Sequence, residues 1–163
     1  FGGIHLIAVS NDADSEYNSL LQAGYSGVIP QRLAELSRKV DDLWKKIWRK
    51  LTGRPLVLPY STASRYFIGG CEQSPKCYPV LIPNWDNSPR SGKRALILNG
   101  ASPQSFRHHA REILALQKDL VFLKSWNEWA EGNYMEPDQR FGLGYLKVLK
   151  ETLSAVKPAQ NHR

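Results

Sequence analysis

Between Ser125 and Asp138 the chain reads SWNEWAEGNYMEPD, which gathers Trp126, Trp129 and Tyr134 with Asn127, Glu128, Glu131 and Glu136 in one short stretch. Sugar rings offer flat C–H faces that stack on aromatic side chains, and hydroxyls that pair with carboxylates and amides, so a single ligand class suits both sets. The stretch follows the apolar run Leu120-Val121-Phe122-Leu123, which has the composition of a buried strand. A glycan site at the end of a strand is the chemistry these residues fit.

Spacing sharpens that reading. In a continuing strand Glu128 and Glu131 would point to opposite faces about 10 Å apart, too far for joint work on one bond. If the chain leaves the strand at Glu128 and curls into a turn, positions i and i+3 become neighbours with Cβ atoms about 5–6 Å apart. Retaining glycosidases hold their two carboxyl groups about 5–5.5 Å apart and inverting ones about 6.5–9.5 Å, so the pair can serve either geometry. The plainer alternative is acidic enrichment of the first turn of a short solvated helix.

A second stretch, Trp85-Asp86-Asn87, follows the apolar run Pro79-Val80-Leu81-Ile82. There Trp85 can floor a sugar subsite, Asp86 and Asn87 can hold hydroxyls, and Arg90 can bind an anionic group or fix Asp86 by a bidentate pair. Asp86, Asn87, Ser88 and Pro89 are equally ordinary turn residues. Tyr60 is a weaker candidate for the same rim.

The stretch WNEWAEGNYMEPD, followed by Phe141-Gly142-Leu143-Gly144-Tyr145-Leu146, resembles the signature of the WbsX-like family, the glycoside hydrolase family 99-like domain. Tyr78 to Arg90 (YPVLIPNWDNSPR), Ala101 to Phe106 (ASPQSF) and Gly24 to Pro30 (GYSGVIP) extend the resemblance over about residues 24 to 150. It implies a (β/α)8 TIM barrel acting on an oligosaccharide or polysaccharide, with hydrolase members cutting inside α-mannose chains with retention. It further implies that Glu128 assists the sugar 2-hydroxyl as it attacks the anomeric carbon and that Glu131 is the general acid/base. The hydrolases carry His where this chain has Ala130, which brings the resemblance nearer to the WbsX-like branch, encoded among polysaccharide-assembly genes and labelled glycosyltransferase. The expected function is therefore a retaining, endo-acting α-mannosidase-like hydrolase domain, with polysaccharide-assembly glycosyl transfer or a non-catalytic glycan-binding remnant as alternatives. Neither a cofactor nor a metal enters that chemistry.

The elements that must position these residues read as strands alternating with helices. Ile4 to Val9, Gly27 to Pro30, Leu56 to Leu58, Pro79 to Ile82, Ala95 to Leu98 and Leu120 to Ser125 have strand length and composition. Leu33, Leu36, Val40, Leu43, Trp44, Ile47, Trp48 and Leu51 recur at helical spacing, predicting one helix from about Pro30 to Thr52. Ser102 and Pro103 open another, to about Lys118, and a closing helix runs from Leu143 to about Val156. Such alternation predicts a parallel sheet with its chemistry at strand C-terminal ends. A complete barrel takes about 250 residues, with about 200 as a practical minimum, and this chain has 163. The expectation is a single partial catalytic domain over residues 1–163, the C-terminal portion of a barrel. Its partner would be the missing N-terminal half, without which the isolated chain is inactive.

The net charge of +7 draws on Arg38, Lys39, Lys45, Lys46, Arg49, Lys50 and Arg54. These lie mostly opposite the apolar stripe of the first long helix, as a solvated face does, and Trp44 and Trp48 fall on the stripe itself, which argues against a nucleic-acid partner. Cys71 and Cys77 can close a small disulfide or remain free thiols; the reading inclines to thiols and a cytoplasmic location, with export left open. His5, His108, His109 and His162 show no zinc-ligand spacing. No apolar run approaches the roughly 18 residues a transmembrane helix needs.

Overall fold

The apolar runs become short parallel strands. The computed structural model describes residues 3–40 and 43–156, without the side chains of residues 43–46 and 48. Strand β1 (Ile7–Ser10) leads through helix α1 (Ala13–Gln22) to β2 (Gly27–Pro30), and the two strands pair in parallel with Ile7 opposite Gly27. Helices α2 (Arg32–Val40) and α3 (Leu43–Thr52) precede β3 (Leu56–Pro59) and the one-turn α4 (Tyr60–Ala63). Then come β4 (Val80–Leu81), α5 (Ser88–Ser91), β5 (Leu96–Asn99), α6 (Pro103–Ala115), β6 (Phe122–Leu123), the β7 and β8 pair (Asn127–Glu128, Asn133–Tyr134) and α7 (Gly144–Ala155).

Parallel pairing joins β3 to β5 and β4 to β6. Val28 bridges to Cys77, its N–H donating to the Lys76 carbonyl at 2.8 Å while its own carbonyl accepts Tyr78 N–H at 2.8 Å. The parallel run thus continues from β1 through β2 to the chain entering β4, and on to β6. No closed barrel forms among the described residues.

Strand periodicity places the core. Val80 and Ile82 point into a cluster with Leu33, Leu36, Leu56, Tyr60, Phe67 and Leu96, whereas Leu81 between them packs with Phe106, Ile113, Met135, Tyr145 and Val148. Successive side chains of a strand face opposite ways, so β4 is covered on both faces, by α2 and α4 on one side and by α6 and α7 on the other. Helix α6 begins where the sequence predicts: Ser102 Oγ accepts Ser105 N–H, Ser105 Oγ accepts Ser102 N–H, and Pro103 fills the first helical position.

The helix expected over 30–52 is helical over Arg32–Val40 and Leu43–Thr52, with residues 41 and 42, and the side chains of Trp44 and Trp48, outside the described residues. Other expectations need correction. Ile47 and Leu51, expected on the buried stripe, are 40% and 80% exposed. Strand β6 keeps only Phe122–Leu123 of the expected six-residue run, since that is all that pairs with β4. Cys71 and Cys77 are bridged, not free thiols. A 3-10 turn at Cys71–Gln73 and a reversal in which Cys77 N–H donates to the Ser74 carbonyl bring their Cα atoms to 5.6 Å, and both are buried against Ala13 and Val28. The ground for a cytoplasmic location goes with the free thiols.

Candidate functional site

Two segments beyond strand ends meet at one rim. After β4, residues 84–87 run antiparallel to β5, with Leu98 N–H donating to the Trp85 carbonyl at 2.8 Å and Leu96 N–H to Asn87 Oδ1 at 2.9 Å. Asp86 Oδ1 accepts Ser88 N–H at 2.9 Å and so shapes the turn into α5. After β6 the Lys124–Ser125 peptide is cis, and Ser125 N–H donates to Asn133 Oδ1 at 3.1 Å. The chain then makes the β7–β8 pair, with Asn127 opposite Tyr134 and Glu128 opposite Asn133. Between them lie a 3-10 turn at Trp129–Glu131 and Gly132 in the left-handed region at φ +56°.

The expected strand thus ends at Leu123, and the chain turns immediately after Glu128, with Glu131 closing that turn. Gly132 is needed for two reasons. Side chains rarely adopt its φ, and an added Cβ would lie 3.1 Å from Asp86 Cβ. That close approach lets Asp86 N–H donate to the Glu131 carbonyl at 2.7 Å, tying the two segments together through their backbones.

Glu131 is 13% exposed and pairs with Arg90 Nη1 at 3.0 Å, while the Arg90 side chain is 69% exposed. Of the two roles the sequence allowed Arg90, the pair with Asp86 is not formed: Asp86 serves the Ser88 amide and Arg90 serves Glu131. Trp129 stacks on Tyr134 with ring centroids 3.8 Å apart and planes 18° apart, and its indole N–H donates to Glu136 at 2.6 Å. Burial, followed by the bond to Asp138, raises the Tyr134 phenol above its ordinary range. Trp126, Asn127 and Trp129 are exposed and Glu128 is half-buried, so stacking faces and hydrogen-bonding groups stand together at the surface. Met135 anchors the pair of strands from beneath, 1% exposed in the core of α6 and α7.

Other expected residues sit differently. Trp85 is partly buried against the larger core, with Lys124 Nζ 5.5 Å from its ring centroid, so only part of the ring remains for a ligand. Tyr60 is 1% exposed and donates its hydroxyl to the Ile82 carbonyl at 2.6 Å; it is a packing residue and not part of the rim.

Sequence reasoning passed over three features. Asn133 is fully buried opposite Glu128, and its Nδ2 has no hydrogen-bond partner; as an ordinary turn residue type it gave no signal. Arg32, 2% exposed, is held by Asp14, Glu35 and Glu72, whose distance along the chain hides the cluster. Arg32 and Lys124 also line a cleft of about 190 Å³ at the strand ends, otherwise largely apolar and including Val9, Ile29, Ile82 and Phe122. Glu128 and Glu131 are not in its lining.

The family model described as Glycosyltransferase WbsX matches residues 1–149. Two curated relatives share the name Uncharacterized protein WxcX, one from Xanthomonas campestris pv. campestris strain ATCC 33913 and one from strain B100. They are 29% identical over 151 residues and 30% identical over 152. Each alignment covers 88% of this chain but 19% of the relative, so the chain spans about a fifth of their length. No solved structure matches.

Proposed function

This chain belongs to the glycosyltransferase WbsX family, and from that premise we propose that its 84–90 and 126–136 segments form part of a site for glycosyl transfer in polysaccharide assembly. The observation that carries the reading is the tie between the two segments: the Asp86–Glu131 backbone bond and the Arg90–Glu131 pair join residues 84–90 to the stretch that carries Glu128, Glu131 and the exposed Trp126 and Trp129. In this reading Glu131 gives a proton to the oxygen leaving the anomeric carbon and recovers one from the acceptor hydroxyl, while Glu128 assists from the side of the sugar ring. Trp126, Trp129 and Tyr134 stack on the sugar. Asn127, Glu136, Asp86 and Asn87 hold hydroxyls, the last two through lone pairs left over from their turn bonds. The parallel run of β1, β2, β4 and β6 is an arc of a (β/α)8 barrel completed by other parts of a longer protein.

Hydrolysis uses the same carboxylates with water in place of the acceptor hydroxyl, so the donor requirement separates the two reactions. With the full-length protein, extension of a glycan acceptor only when an activated sugar donor is supplied supports transfer. Release of reducing ends from α-mannan with no donor supports the hydrolase. In either assay Glu131→Gln lowers turnover by at least about a hundredfold while sugar binding persists. Turnover near that of the unaltered protein would overturn the acid/base role, and glycan affinity without turnover, indifferent to Glu128→Gln and Glu131→Gln, would mark a binding remnant.

A further inference from the structure

We propose that the sugar handled at this rim carries an oxyanion, either a carboxylate or a phosphate, and that Arg90 receives it. The inference rests on the glycan reading of the rim and adds the chemical class of the substrate. A guanidinium offers five N–H donors in a planar fork that matches two oxygens of a carboxylate or phosphate. At Arg90, Glu131 engages Nη1, and no other described group takes Nε or Nη2. With 69% of the side chain exposed, that free edge faces solvent beside the Glu131 carboxylate.

The acids of the rim, Glu128, Glu131 and Glu136, lie on the 126–136 segment, and it is the 84–99 side that favours an anion. Residues 84–99 contain three cations, Arg90, Lys93 and Arg94, against the single acid Asp86, whose carboxylate is occupied by the Ser88 amide. Lys93 and Arg94 are exposed and make no ion pair among the described residues. Lys124, over the Trp85 ring, adds a further positive group on the adjoining strand end. Two other arginines, by contrast, are committed to the protein's own carboxylates: Arg32 is enclosed by three, and Arg107 pairs with Glu151 at 2.7 Å.

Arg90 is also held in place. Its own N–H and that of Ser91 donate to the Asn87 carbonyl at 3.1 and 2.9 Å, and α5 packs on the 3-10 turn that carries Glu131. A neutral sugar meets the free fork only through hydroxyls. An oxyanion meets it with charge and with two parallel hydrogen bonds, which gives the rim a means of choosing acidic sugars.

Calorimetry on the full-length protein tests this with two matched pairs: trigalacturonate against its methyl ester, and mannose 6-phosphate against mannose. At least one anion is expected to bind about tenfold or more tightly than its neutral partner, the scale of a hydrogen bond to a charged group. Arg90→Gln should abolish that difference, and Arg90→Lys, which keeps the charge but loses the fork, should keep only part of it. Preference for trigalacturonate alone identifies a uronate-bearing glycan; preference for mannose 6-phosphate alone identifies a phosphorylated sugar. Equal affinity within both pairs, with neutral sugars bound, overturns this inference and leaves the glycan reading standing. A preference that survives Arg90→Gln overturns the role of Arg90. Binding of none of the four overturns both.

Discussion

Arg32 follows β2 and Arg90 follows β4, so both stand beyond the C-terminal end of a parallel strand, yet their side chains are 2% and 69% exposed. Asp14, Glu35 and Glu72 close around Arg32, and Glu72, fully buried, also accepts Gly69 N–H at 2.9 Å. The bond from Arg32 is the largest influence holding the Asp14 carboxyl down at about 2. A charge withdrawn from water is tolerated only when its hydrogen bonds are replaced, and here α1, α2 and the disulfide loop supply the replacements. Arg90 keeps its water and has one carboxylate partner. A closed cluster has no capacity left for a ligand and holds elements together; an open pair has that capacity and contributes little to the fold.

The largest effect expected from breaking this comparison is at Arg32. Arg32→Ala would leave Glu72 buried without its counter-charge, and removal of one partner from a buried pair costs about 3–5 kcal/mol. Denaturant unfolding of the variant beside the unaltered protein measures it. A loss under about 1 kcal/mol would mean that the cluster does not hold these elements.

Acid titration reads the closed parts of the molecule in a set order. His109 on α6 is fully buried against Phe67 and Phe106, its Nε2 accepts Ile82 N–H at 3.2 Å, and burial lowers its pKa from 6.5 to about 4. The fold holds it neutral, whereas the unfolded chain takes up a proton below 6.5. Its contribution is therefore complete above pH 6.5 and is lost as pH falls toward 4, by up to about 3 kcal/mol. Asp14 follows the same sign at lower pH: its contribution is present above 3.8 and disappears as pH falls to about 2. Unfolding midpoints between pH 7 and 4 should drop for the unaltered protein and stay nearly level for His109→Asn. A level profile for both would contradict the buried neutral histidine.

The disulfide comes next in size. It closes a small loop that carries Glu72 to Arg32 and continues the parallel run at Val28. Replacing Cys71 and Cys77 with Ser should lower stability by about 2 kcal/mol, the loop-closure scale for so short a ring. The same loss should appear in the unaltered protein under reducing conditions. Equal melting with and without reductant would show that the bridge contributes nothing.

These contrasts also show what the sequence could reveal. Segments whose pairing and burial are local were legible: β2 occupies the expected Gly27–Pro30, and the Ser102 cap with Pro103 marks the start of α6. The turn after Glu128 entered the sequence reading only as the condition under which Glu128 and Glu131 become neighbours, and the 3-10 turn at Trp129–Glu131 meets that condition in the backbone. What depended on distant partners was hidden. Arg32 and Glu72 are 40 residues apart, and nothing in either neighbourhood announces the other. Helix α1 has a weak apolar stripe that buries only Ala13 fully, so periodicity gave little sign of it. Tyr60 looked like a rim residue because it follows a strand, but its hydroxyl found the Ile82 carbonyl inside the core.

The smallest effect belongs to the open side. Arg90→Gln removes an ion pair whose cation is well hydrated in either state, and such exposed pairs contribute about 0–1 kcal/mol. Because Glu131 is 13% exposed, the loss should sit near the upper end of that range, about 1 kcal/mol, well below the change at Arg32. Paired melts of Arg90→Gln and Arg32→Ala under one buffer make the test direct. A near-native midpoint for the first and a large drop for the second would show that Arg90, unlike Arg32, contributes little to the fold. A drop at Arg90 as large as that at Arg32 would mean that the Arg90–Glu131 pair fastens the 126–136 segment to α5, and the distinction between closed and open arginines would fail.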